Sequence, residues 1–143
     1  MTIIFSKKCE YGLQACLYLA ALNTREVVPS EEIAKQLKIP KEFVSKILQS
    51  LTASGLIYSK KGKFGGFSLA KDSSKIKLID IVGVIDGLEI FERCVLGFPN
   101  CSPDTPCPVH DRWGELRTKT YQMLTEETLD KFTEKTLTKI NNL

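Results

Sequence analysis

A chain of 143 residues, 43% hydrophobic and 26% charged, is long enough for one domain, or for a small domain with an extended arm. The opening lacks the apolar run of a signal peptide, and the longest apolar stretch, 12–22, is interrupted by Gln14 and too short for a bilayer, so a secreted or membrane protein is not expected and a cytoplasmic one with reduced thiols is. The net charge of +3 is unevenly spread: residues 35–77 hold ten lysines against Glu42 and Asp72 between acidic flanks, which concentrates positive potential where a polyanion binds.

In chain order, Tyr11, Leu13, Cys16, Leu17, Leu19 and Ala20 give residues 9–22 a broad apolar face and predict a first helix. Ser30, before Glu31 and Glu32, is the expected N-cap of a short second helix whose inward face is Ile33, Ala34 and Leu37. After Lys38-Ile39, Pro40 starts a third helix in which Val44, Ile47, Leu48 and Leu51 recur at helical spacing, and Gly55 stands where a left-handed terminus belongs. Two short helices so closely joined predict a helix-turn-helix. Residues 56–59 and 67–69 predict two strands around the lysine- and glycine-rich turn 60–66, a basic hairpin or wing. Helical periodicity returns over 76–85 and stops near Asp86-Gly87.

Between that helix and the next lies the segment with the most chemistry. Cys94, Cys101, Cys107 and the sole histidine, His110, fall within seventeen residues that also hold Pro99, Pro103, Pro106 and Pro108, so the segment is expected to be a stiff loop. Soft thiolates with one imidazole suit an iron–sulfur cluster or zinc, and the Cys-x2-Cys pairs of structural zinc fingers are absent. Beyond it, Trp113, Leu116, Thr120 and Met123 are spaced as a seam along a helix that packs on a partner or on the chain's own core. Cys16 is expected to fill a core position, and a structural reading is preferred for Cys9 as well. Redox Cys-x2-Cys, Gly-x-Ser-x-Gly and phosphate-loop motifs are missing, so no enzyme is expected.

On the third helix, Lys41, Glu42, Ser45, Lys46 and Gln49 lie opposite the apolar face, placed to meet a major groove, while Lys60, Lys61 and Lys63 arm the wing and Lys61 suits a minor groove. The stretches 6–13, 39–48, and 55–57 with 61–70, followed by a three-cysteine loop, resemble the IscR/NsrR family of bacterial winged-helix transcription regulators over about 6–123. The resemblance implies a mainly α fold with a small β-wing: a winged helix-turn-helix domain (1–87), a cysteine-rich cluster-binding loop (88–110), and a long dimerisation helix with a C-terminal tail (111–143). It implies a homodimeric regulator, mostly of repressor type, on double-stranded operator DNA, with Glu42, Ser45 and Lys46 facing bases or phosphates and Lys61 in the place of a minor-groove arginine. It also implies an iron–sulfur cluster on Cys94, Cys101 and Cys107, 2Fe–2S favoured over 4Fe–4S, with His110 as fourth ligand and Glu10, from a partner's first helix, as the alternative. The other reading is a cluster-free winged-helix regulator controlled by thiol oxidation or a partner protein. The chain departs from the family pattern at Phe64, where a third glycine is usual, at Lys61, which lacks arginine's planar fork, and at Ser45, where glutamate is common. The gap between Cys94 and Cys101 is also one residue longer than in the commonest pattern.

Overall fold

Ser6 accepts a hydrogen bond from the Cys9 amide, and from that cap α1 runs Lys7–Leu22, two residues longer at its start than its apolar face announces. The same serine is anchored in turn, because its amide donates to Asp86 Oδ2 at 2.7 Å and its hydroxyl donates to Asp86 Oδ1. The computed structural model describes residues 4–143.

The second helix, α2, is Ser30–Leu37, and here the expected cap moves by one residue. Pro29 takes the capping position and its carbonyl accepts from the Glu32 and Ile33 amides, so Ser30 is the first helical residue and makes no side-chain cap. Likewise α3 is Lys41–Ala53, with Pro40 as the cap residue and its carbonyl accepting from Phe43 and Val44. Lys38, in the left-handed region at φ 56°, makes the corner between the two helices. Val44, Ile47, Leu48 and Leu51 are all buried, and Gly55, at φ +86°, follows the last turn as its position suggests.

Strands β1 (Ile57–Lys60) and β2 (Gly66–Leu69) pair antiparallel, Ile57 opposite Leu69 and Lys60 opposite Gly66. A third segment joins them from a distance. Val28, just before α2, exchanges two backbone hydrogen bonds with Phe67, at 2.8 and 2.9 Å. Gly66 permits that approach, since a Cβ there would lie 2.4 Å from the Val28 carbonyl oxygen. The hairpin is thereby fixed to the start of the helix-turn-helix, a geometry that strand periodicity does not reveal.

Helix α4 is Leu78–Ile85, two residues shorter than the periodicity of 76–85 suggests. Ile76 and Lys77 are extended because they pair with residues far along the chain: the Leu129 amide donates to Ile76 at 3.0 Å, the Leu78 amide to Glu127 at 3.1 Å, and Lys77 bridges Thr128. Past the cysteine-bearing loop comes α5, His110–Glu126, about 25 Å long at 1.5 Å per residue. A 3-10 turn, Leu129–Phe132, then leads into α6, Thr133–Asn141, which packs along α1. The residues read as a tail are therefore helical and join the core through Leu129 and Ile140.

One apolar core unites α1, α2, α3, the hairpin and α6, with Ile33, Leu48, Leu51, Ile57, Ile76 and Ile81 fully enclosed. A smaller one, Cys9, Ile79, Val82 and Leu124, ties α5 to α1 and α4. Three helices and a hairpin ordered this way, with α3 beside the wing, form a winged helix-turn-helix from which α5 extends as an arm. Among the described residues, no helix is long and apolar enough to cross a membrane.

Candidate metal centre and nucleic-acid interface

Loop 92–109 is shaped by local backbone restraint. Gly97 and Asn100 adopt positive φ, 82° and 58°, and the four prolines keep the remainder from becoming helix. The Gly97 amide donates to Cys94 O at 3.0 Å, which turns the chain immediately after the first cysteine. These turns gather three residues that are distant in sequence. The Sγ atoms of Cys94, Cys101 and Cys107 all lie within 4.8 Å of one another, each half-buried.

The donors fall into two pairs: Cys94 Sγ is 3.5 Å from Cys107 Sγ, and Cys101 Sγ is 3.2 Å from His110 Nδ1. His110 is the first residue of α5, and its amide donates to Cys107 O at 3.1 Å, so the helix start carries the imidazole to the loop. A cavity of about 190 Å³ lies among these side chains, closed by Glu92, Pro103, Trp113 and Arg117. A larger open groove, about 610 Å³, lies behind the wing and contains none of them.

The three thiols suit a soft metal by donor chemistry and stand in a partly shielded cradle, and His110 Nδ1 adjoins them beside Cys101. The environment also differentiates the thiols. Burial alone would raise Cys94, but hydrogen bonding by the Phe98 and Leu96 amides and the Cys107 and Cys101 thiols brings it down to about 7. Cys107 moves the other way, raised by burial and by its two thiol neighbours against the pull of the Val109 amide.

Sequence reading missed two residues that hold this cradle. The Trp113 indole N–H donates to Arg93 O at 2.8 Å and Arg117 reaches the same carbonyl at 3.4 Å, fastening the loop's entry to α5. Trp113 belongs to the predicted seam, but it faces the chain's own loop. Of the rest of the seam, Leu116 is 59% and Met123 51% exposed, while Thr120 is half-buried. Glu10 is separate from the thiol group and pairs with Lys7 at 3.3 Å on α1.

On α3, Lys41, Glu42, Lys46 and Gln49 are exposed, while Ser45 is half-buried. Lys60, Lys61 and Lys63 are all exposed on the wing. Phe43 meets Tyr11 of α1 edge-to-face at 6.2 Å, and Lys7 stands 5.5 Å over that tyrosine ring, so the start of α1 buttresses the start of α3.

The sequence profile of Rrf2, described as an iron-dependent transcriptional regulator, matches residues 5–135. The chain belongs to the Rrf2 family. An Aquifex aeolicus (strain VF5) protein described as a candidate helix-turn-helix transcriptional regulator is 44% identical over 119 residues, covering 82% of each chain. The transcriptional regulator IscR of Vibrio cholerae serotype O1 is 26% identical over 124 residues, 87% of this chain and 71% of its own length. Among solved structures, CymR of B. subtilis, a global cysteine regulator, superposes with a TM-score of 0.76 at 21% identity, covering 93% of this chain and 98% of its own. IscR of T. potens gives 0.69 at 24%, covering 94% and 88%. These two likenesses establish the winged-helix fold; the profile establishes that this Rrf2 protein is a transcriptional regulator and not an enzyme.

Proposed function

We propose that this Rrf2 regulator acts as a homodimeric repressor whose hold on operator DNA is set by a 2Fe–2S cluster on Cys94, Cys101, Cys107 and His110. The observation that carries the cluster reading is the two-and-two pairing of donors, Cys94 with Cys107 and Cys101 with His110, because a two-iron cluster takes two protein ligands on each iron. A 4Fe–4S cluster asks for one ligand on each of four irons, and nothing in the pairing favours it. When bound, the group supplies redox and ligand-exchange sensitivity. This chain's residues do the rest: the loop's turns hold the thiols together, Trp113 and Arg117 fix the loop to α5, and the half-buried cradle limits solvent access.

The DNA reading places α3 in a major groove through Lys41, Glu42, Ser45, Lys46 and Gln49, with Lys60, Lys61 and Lys63 on flanking phosphates or in the minor groove. The exposure of Lys41, Glu42, Lys46 and Gln49 on α3 and of the three wing lysines supports it. Dimerisation is supported by Leu116, Tyr121 and Met123, exposed on a helix with Leu124 alone buried.

The test is oxygen-free purification with iron and acid-labile sulfide counted. About two irons and two sulfides per chain are expected, with visible absorption abolished by Cys107→Ala. A colourless protein holding one zinc, or no metal, refutes the cluster.

A second reading has its own observation. The Cys94 thiol is brought down to about 7 and lies 3.5 Å from Cys107, so a metal-free chain is set for disulfide formation. With hydrogen peroxide as oxidant, the Cys94 thiolate attacks one peroxide oxygen and releases water. Cys107 then attacks the sulfenic sulfur, and a second water leaves as the S–S bond forms. Regulation by peroxide that survives complete removal of iron selects this reading.

A further inference from the structure

We propose that Phe64 is a minor-groove wedge: when the wing lies on duplex DNA, its ring enters the groove and lodges at a base step. The inference rests on the DNA-binding reading above and adds a residue that reads the deformability of the duplex.

Phe64 is 79% exposed, the most exposed large hydrophobic side chain among the described residues. It stands at the tip of the hairpin, and no core residue reaches it. Its close neighbour is a cation, Lys63 Nζ, 5.7 Å from the ring centroid. The surrounding turn is built to present it. Gly62 takes φ +104°, the Gly65 amide donates to Gly62 O at 3.0 Å, and a Cβ on Gly65 would lie 2.1 Å from Lys60 O. No side chain fits at 65, so the turn carries a single ring, on the outside, at 64.

The charges around the ring identify its occupant. Lys63 stands beside it, Lys60 and Lys61 are exposed on the same hairpin, and no acidic residue lies between Glu42 and Asp72. A bare apolar ring framed by cations matches a surface that is anionic at its rims and apolar between them. The minor groove is such a surface, with phosphates on both walls and base and sugar faces within. Apolar side chains inserted there unstack a base step and kink the duplex, most easily at pyrimidine–purine steps. Lysines on the walls would hold the wing while the ring takes the floor.

The experiment uses the full-length protein and a duplex enriched from a random-sequence library by the unmodified protein. Affinity is measured against salt, and bending by energy transfer between dyes on the duplex ends. Phe64→Ala and Phe64→Gly are expected to weaken binding about tenfold or more and to remove a bend of about 20° or more. The slope of log affinity against log salt should stay unchanged. Lys61→Ala, in contrast, lowers that slope by about one. Because the ring touches no core residue, melting temperatures should match, which separates loss of contact from loss of fold. Phe64→Ala binding and bending as the unmodified protein does overturns the wedge and leaves DNA binding standing. A fall in salt slope with Phe64→Ala also overturns it, since the ring would then only position lysines. A library that yields no enriched duplex removes both readings.

Discussion

Cys16 is 1% exposed inside α1, and burial pushes its thiol from 9.0 up to about 12. Cys9 is driven the same way, also to about 12, by burial and then by Asp86 and Glu10. A folded-state value above the unfolded one means that the neutral thiol contributes its full share below about pH 9 and loses it as pH rises toward 12. Within that window one such thiol should make unfolding easier by about 1.4 kcal/mol per pH unit. In urea titrations, Cys16→Ala should show a shallower alkaline decline than the unmodified chain; parallel declines would contradict the assignment. The sequence could separate these inert thiols from Cys94, Cys101 and Cys107 because the first pair sits in helical periodicity and the other three among prolines. It could not show how those donors pair. Cys101 meets His110 across nine positions, and Trp113 reaches back twenty to Arg93, contacts that no spacing rule encodes.

Among the elements, α3 was legible because Val44, Ile47, Leu48 and Leu51 supply a periodic face that local geometry and packing both favour. Helix α4 was misread at its start for the opposite reason. Ile76 fits the helical pattern, yet hydrogen bonding to Leu129 draws it into extended backbone. Helix α6 was hidden, since Phe132, Leu137 and Ile140 are too sparse among polar residues to announce a buried face. The wing's tie to Val28 was equally invisible, and it yields a sharp prediction. Gly66→Ala brings a methyl 2.4 Å from Val28 O and 2.5 Å from its carbonyl carbon, both rigid backbone. Relief requires the Val28–Phe67 pairing to open, at a cost of about 1–3 kcal/mol. Denaturant midpoints should fall accordingly, with faster amide exchange at Val28 and Phe67. Unchanged exchange at those two amides would show that the hairpin accommodates the methyl another way.

Taken whole, the molecule has a reading head packed around one apolar core and an arm that covers little of its own apolar surface. If two arms cover one another, as proposed, Leu116→Glu with Met123→Glu should give a monomer by sedimentation, with monomer melting little affected because both side chains are already exposed. DNA affinity should drop steeply, since two half-sites would no longer be engaged together. A double variant that still sediments as a dimer would place the interface elsewhere.

The backbone departs from the reading head at Lys77 and rejoins it at Thr128, two residues that are paired with each other. Between them the chain runs through α4, which packs into the core through Ile81, and then out through the cysteines and back along α5, a detour sewn shut at its base. Any message written at its far end has several physical exits: the Lys77–Thr128 pairing, the contact of Leu124 with Cys9, Ile81 of α4 in the main core, and the hydrogen bonds of Asp86 with Ser6.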